Sequence, residues 1–224
     1  MSGISLLLGI HVVCGTLALS SLLIPFLSKW GGTIHRRAGW LFSLAMGGVS
    51  LTAWALSTIC LVDGIAGNDA DAIFLAHVGL LSGSSVWMGL RAARLKHNVD
   101  QRRWTDVAWP GSLLLSSAGI FIAGILSGDI LWIIFSVIGA LGAIGPLRYL
   151  LGRGDSRNEW MVQHLGSMGT GAISAVTAFL VVNGQGWGLG GFAIVLWIAP
   201  GIFGGIALSL LGARVRKHGL ASPR

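Results

Sequence analysis

Residues 109–151 read WPGSLLLSSAGIFIAGILS, then GD, then ILWIIFSVIGALGAIGPLRYLL. Each apolar run holds about 20 residues, enough to cross a ~30 Å hydrocarbon core as a helix. The Ser127-Gly128-Asp129 break is too short for a loop, so the two helices must be antiparallel neighbours. They are the fourth and fifth of seven such stretches, Trp109–Gly128 and Ile130–Leu151. The others are Ser5–Ser28, Ala38–Val62, Ala72–Arg91, Trp160–Val182 and Trp187–Leu211.

Composition agrees with this count. The 224 residues are 54% hydrophobic and only 10% charged, against about 25% charged in a soluble domain. Mean hydropathy is +0.78, spread along the whole chain. The sequence therefore predicts an all-α, polytopic membrane bundle of seven transmembrane helices occupying residues 1–224 as a single domain. The N-terminus lacks a basic region before a first span too long for a signal-peptide core, so no cleavage is expected. The net charge of +7 does not point to nucleic acid, because the basic residues sit in short connections, where they set orientation.

All 15 Lys and Arg fall after the odd-numbered spans. Lys29, Arg36 and Arg37 follow the first, and Arg91, Arg94, Lys96, Arg102 and Arg103 follow the third. Arg148, Arg153 and Arg157 surround the fifth connection, and Arg214, Arg216, Lys217 and Arg224 form the tail. The alternate connections carry only Asp63, Asp69, Asp71 and Asp129. This alternation predicts an outside N-terminus and a cytoplasmic C-terminus. Asn68-Asp69-Ala70-Asp71 reads as an outer turn, Pro110 as a first-turn proline, and Pro200 as a kink in the seventh span. Trp30, Trp40, Trp104, Trp109, Trp132, Trp160 and Trp187 recur near the expected interfaces, as in an aromatic belt. The 35 glycines let helix backbones approach closely, and a minority could leave room for a flat ligand.

Away from their ends the spans hold no Asp, Glu or Lys. That excludes a retinal Schiff base, disfavours ion coupling through a mid-membrane carboxylate, and leaves a zinc hydrolase without its acidic partner. His11, His77 and His164 remain within spans, with His35 at the start of the second. His97 and His218 lie in basic stretches and read as solvated. At 1.5 Å per residue, His11 lies about 9 Å and His77 about 7–8 Å below the outer helix starts, while His164 lies about 6 Å from the other face. His35 shares that inner level if Thr33 caps its helix. Two tiers follow, His11 with His77 and His35 with His164, roughly 15–20 Å apart along the normal. Depth leaves lateral adjacency open. Small residues flank two of these histidines: Gly15 and Ala18 beside His11, and Ser167, Gly171 and Ala175 beside His164. Such stripes suit either a porphyrin edge or an ordinary close helix crossing. Cys14 and Cys60 lie in apolar helix and read as small hydrophobes, not a disulfide. A metal-only site fits less well than haem, since copper(I) would favour Cys and Met clusters. Cys14 and Cys60 read at different depths, and Met46, Met88, Met161 and Met168 are scattered.

His11-Val12-Val13-Cys14-Gly15 and the turn Lys29-Trp30-Gly31-Gly32-Thr33-Ile34-His35-Arg36-Arg37-Ala38-Gly39 resemble the hallmark of a bacterial family of seven-helix membrane proteins without an assigned function. That hallmark is H-x3-G in the first span and a K-G-x2-H-R-x2-G turn. Trp30, between Lys29 and Gly31, departs from the tighter spacing, and the likeness covers mainly residues 1–50. It implies a topology, a place in the bacterial cytoplasmic membrane and candidate positions, but no activity. The six-helix b561 cytochromes have a different spacing.

Three function classes follow. The first is electron transfer by b-type haem, with His11 and His77 ligating an outer haem and His35 and His164 an inner one. Gly15 and Gly171 would line these sites, and a quinone or redox partner would exchange electrons. Bis-imidazole ligation leaves no open position for oxygen. The second is a permease or exporter for a small uncharged or lipophilic compound, its path shaped by Ser167, Thr170, Ser174, Thr177 and the kinked seventh span. The third is a non-catalytic membrane assembly partner. No nucleophile–base spacing supports an enzyme.

Overall fold

The computed structural model describes residues 2–63, 69–96, 99–152 and 158–218. Asn68, His97, Arg153, Arg157 and Arg224 fall outside them, as does the side chain of His218. The described residues form helices α1 (Ser2–Ser21), α2 (Ile24–Leu27), α3 (Thr33–Asp63), α4 (Asp69–Leu95), α5 (Trp104–Ser127), α6 (Ile130–Leu150), α7 (Glu159–Gly184) and α8 (Ala193–His218), with two short 3-10 turns and no strand. Seven helices are long and apolar enough to span a membrane, α1 and α2 together making the first. This is a multi-pass bundle of the membrane-spanning kind.

The α5–α6 hairpin is built as its sequence requires. Gly128 ends α5 at φ +72, a left-handed conformation that favours glycine. Asp129 then caps α6, its carboxylate accepting from Leu131 N at 2.9 Å and Trp132 N at 3.4 Å. At the start of α5 the structure differs from expectation. The helix begins at Trp104, five residues early, so Pro110 lies inside it. Its first turn forms because Asp106 accepts the Arg103 backbone N–H at 2.8 Å. Asp69 and Asp71, expected in an outer turn, belong to the first turn of α4, where negative charge complements the helix dipole. Trp132 is no belt residue either. It is 8% exposed and stacks on Phe74 at 6.0 Å. α8 runs unbroken through Pro200.

α4 and α7 form the centre. α4 packs on α3, α5, α6 and α7, whereas α8 rests chiefly on α7. Glycines set these crossings at particular points. A Cβ on Gly48 would meet Cys14 Sγ at 2.5 Å, and one on Gly171 would meet Val86 at 2.6 Å. Cys14 and Cys60 are both free and half-buried.

One polar atom at the α3–α4 crossing is unprovided for. Ser50 Oγ faces Gly83, where a Cβ would lie 2.8 Å away, and it has no hydrogen-bond partner among the described residues. An unsatisfied buried hydroxyl costs about 1–3 kcal/mol. Ser50→Ala is therefore expected to raise stability by about 1 kcal/mol, measured by denaturation in detergent. An unchanged midpoint would mean the hydroxyl is satisfied after all.

Candidate functional site

The structure brings His35 and His164 together at the end of the bundle that carries the basic connections. His35 lies in the first turn of α3. Gly32, not Thr33, caps that helix, its carbonyl accepting the Arg36 N–H at 3.0 Å. His35 Nδ1 lies 3.0 Å from the Pro25 carbonyl, at the end of the first span, and His164 Nδ1 lies 2.8 Å from the Gly89 carbonyl of α4. A carbonyl oxygen only accepts, so both Nδ1 atoms donate and each Nε2 keeps its lone pair. The ring centroids are 6.2 Å apart with planes tilted by 53°. Both rings are half-buried.

The other tier is not assembled as expected. His11 Nδ1 bonds Thr52 Oγ1 of α3 at 2.8 Å. That hydroxyl donates to the Gly48 carbonyl, so the ring donates to it. His77 is 2% exposed and faces α5 and α6. Its Nδ1 lies 2.9 Å from Ser116 Oγ and its Nε2 3.4 Å from the Phe135 carbonyl. The carbonyl needs Nε2–H, so Nδ1 takes the Ser116 O–H and no lone pair remains. Gly79, two residues on and thus on the opposite face of α4, meets Trp54 and Ala53 of α3. The body of α4 stands between the two rings. Two residues of similar depth face different neighbours, which depth alone does not reveal. Nor does Gly171 leave room for a flat ligand, because Val86 fills it; Gly15 faces open space.

His11 opens instead onto a partly open cavity of about 1000 Å³ walled by α1, α3, α4, α6, α7 and α8. Along α7 its lining extends from Val162 to Val182, about 30 Å of helix. The lining is mainly apolar, with hydroxyls from Ser82, Ser167, Thr170, Ser174 and Thr177 and a glycine edge from Gly201, Gly205 and Gly212 of α8. Its charged lining residues are Asp71 towards one end and Arg216 towards the other. Ser82, Thr170 and Ser174 donate to carbonyls of their own helices at 2.9, 2.9 and 3.0 Å. They therefore offer a ligand acceptor lone pairs and few donors.

Two acidic residues escaped the sequence reading. Asp106, with no exposed surface, binds Arg91 through both oxygens at 2.6 Å, so Arg91 is a buried partner as well as a marker of orientation. Glu159, 8% exposed, accepts from Gln163 at 2.8 Å and pairs with Arg216 at 3.3 Å beside the cavity. The available signal was Asp106 three residues after Arg103, the spacing by which an N3 carboxylate reaches back to the N-cap.

Comparison of the chain with family models, curated proteins and solved structures finds no match.

Proposed function

We propose that this protein binds an uncharged or lipophilic compound in this cavity and acts as a permease or exporter for it. The observation that carries this is the cavity itself: about 1000 Å³, extending along α7 by some twenty residues, with charge only near its ends. A charged solute would cross most of that length without a counter-charge, at a desolvation cost of several kcal/mol. An apolar body with one or two donors matches the wall, because the hydroxyls there accept. Basic connections on one side support an outside N-terminus and a cytoplasmic C-terminus, in the bacterial cytoplasmic membrane.

The test is photolabelling in lipid nanodiscs with a photoreactive long-chain alcohol. Label is expected on the α7 stretch 163–181, and Thr170→Trp or Ser174→Trp should reduce it at least about tenfold by filling the void. Labelling confined to lipid-facing residues and indifferent to both substitutions would remove this function. Electron transfer through haem is favoured by one observation only, the His35–His164 approach. A Soret band in protein purified from haem-replete cells would support it.

A further inference from the structure

We propose that His35 and His164 form a two-imidazole binding site for monovalent copper. The site lies outside the cavity lining and does not depend on the transport function. Four elements build it: α3 and α7 supply the rings, while Pro25 and Gly89 anchor each Nδ1 through a main-chain carbonyl. Anchoring of this kind fixes the tautomer and presents Nε2 for ligation, as outer-shell carbonyls do for metal-bound histidines. With metal–nitrogen bonds of about 2.0 Å, two imidazoles sharing one ion through Nε2 place their centroids about 6 Å apart. The observed separation is 6.2 Å.

The donor set selects the ion. No group of three or more His, Cys, Asp or Glu side chains gathers among the described residues, so zinc would lack its four protein ligands. Hard divalent ions would lack oxygen ligands. Copper(I) is satisfied by two nitrogens in a line, and it carries a single charge into a half-buried site whose ligands are neutral. A soft thioether lies close by. Met168 is one turn along α7 from His164, and its sulfur packs on the same Gly89 whose carbonyl holds that ring. Thioethers and imidazoles together favour copper(I). A porphyrin would need a slot beside the rings. Instead Phe42, two turns along α3 from His35, forms a core cluster with Met46 and Val86, and Met168 packs against it.

Purified full-length protein, titrated anaerobically with copper(I) held by bicinchoninate, should remove one copper per chain. His35→Ala and His164→Ala should each weaken uptake at least about 100-fold, beyond the 10–100-fold typical of outer-shell losses. His11→Ala should leave it unchanged. X-ray absorption of the loaded wild type, which needs no variant to fold, should show two imidazole nitrogens per copper. Uptake that persists in the His35→Ala/His164→Ala double variant overturns the site, as does a folded wild type that takes no copper. A haemin complex whose Soret band vanishes in those variants would overturn it too, assigning the pair to haem.

Discussion

Asp106→Ala is expected to destabilise the protein by about 3–5 kcal/mol, the loss typical when one member of a buried ion pair is removed. Both Asp106 oxygens are engaged by Arg91 Nε and Nη2 at 2.6 Å, and Oδ2 also accepts the Arg103 N–H at 2.8 Å. Without the carboxylate, a guanidinium only 9% exposed keeps its charge and loses its partner, and α5 loses the acceptor of its first turn. The two losses are separable. Replacing both partners in Arg91→Met/Asp106→Leu removes the unpaired charge, so that variant should recover all but the cap, about 1 kcal/mol. Denaturation in detergent reads both. If Asp106→Ala melts with the wild type, or the double variant is no better than the single, the pair is not what holds α4 to α5.

The pair also shows where legibility ended. Seven spans were readable because a bilayer imposes a length on every helix that crosses it, and the Gly128-Asp129 turn because two residues allow one geometry. The second role of Arg91 was missed for a specific reason: counting basic residues to orient a membrane chain treats each arginine as a loop charge. Its partner lies 15 residues on, beyond a connection. Depth was legible from a rise of 1.5 Å per residue, but the direction in which a side chain leaves its helix depends on neighbours. His35 and His164 share a level and meet; His11 and His77 share a level and are separated by α4. The cavity's α7 wall was visible as a stripe of Ser167, Thr170, Ser174 and Thr177, and its α8 wall as the seventh span expected to shape a path; its α6 wall was not, since nothing local marks which glycines border a void.

The same ambiguity makes glycine substitution the second informative experiment, with opposite signs expected at different positions. A Cβ on Gly89 would lie 2.7 Å from Met168 Cγ and Sδ and 3.1 Å from the Met168 backbone nitrogen. The side chain could swing away, but the backbone of α7 could not, so α4 and α7 must part. Gly89→Val should therefore cost about 2–3 kcal/mol, the range for overpacking a tight core, and should move the carbonyl that holds His164 Nδ1. Imidazole NMR of His164 would report that movement separately from the loss of stability. At Gly15 and Gly39 a Cβ would meet nothing within 4 Å. There Gly→Ala removes only the flexibility of glycine inside a helix, and a gain of about 0.5–1 kcal/mol is expected. Sequence treats all three as glycine in an apolar span, so a uniform response would mean that packing at the α4–α7 crossing does not depend on Gly89, and that the anchoring of His164 has been placed on the wrong contact.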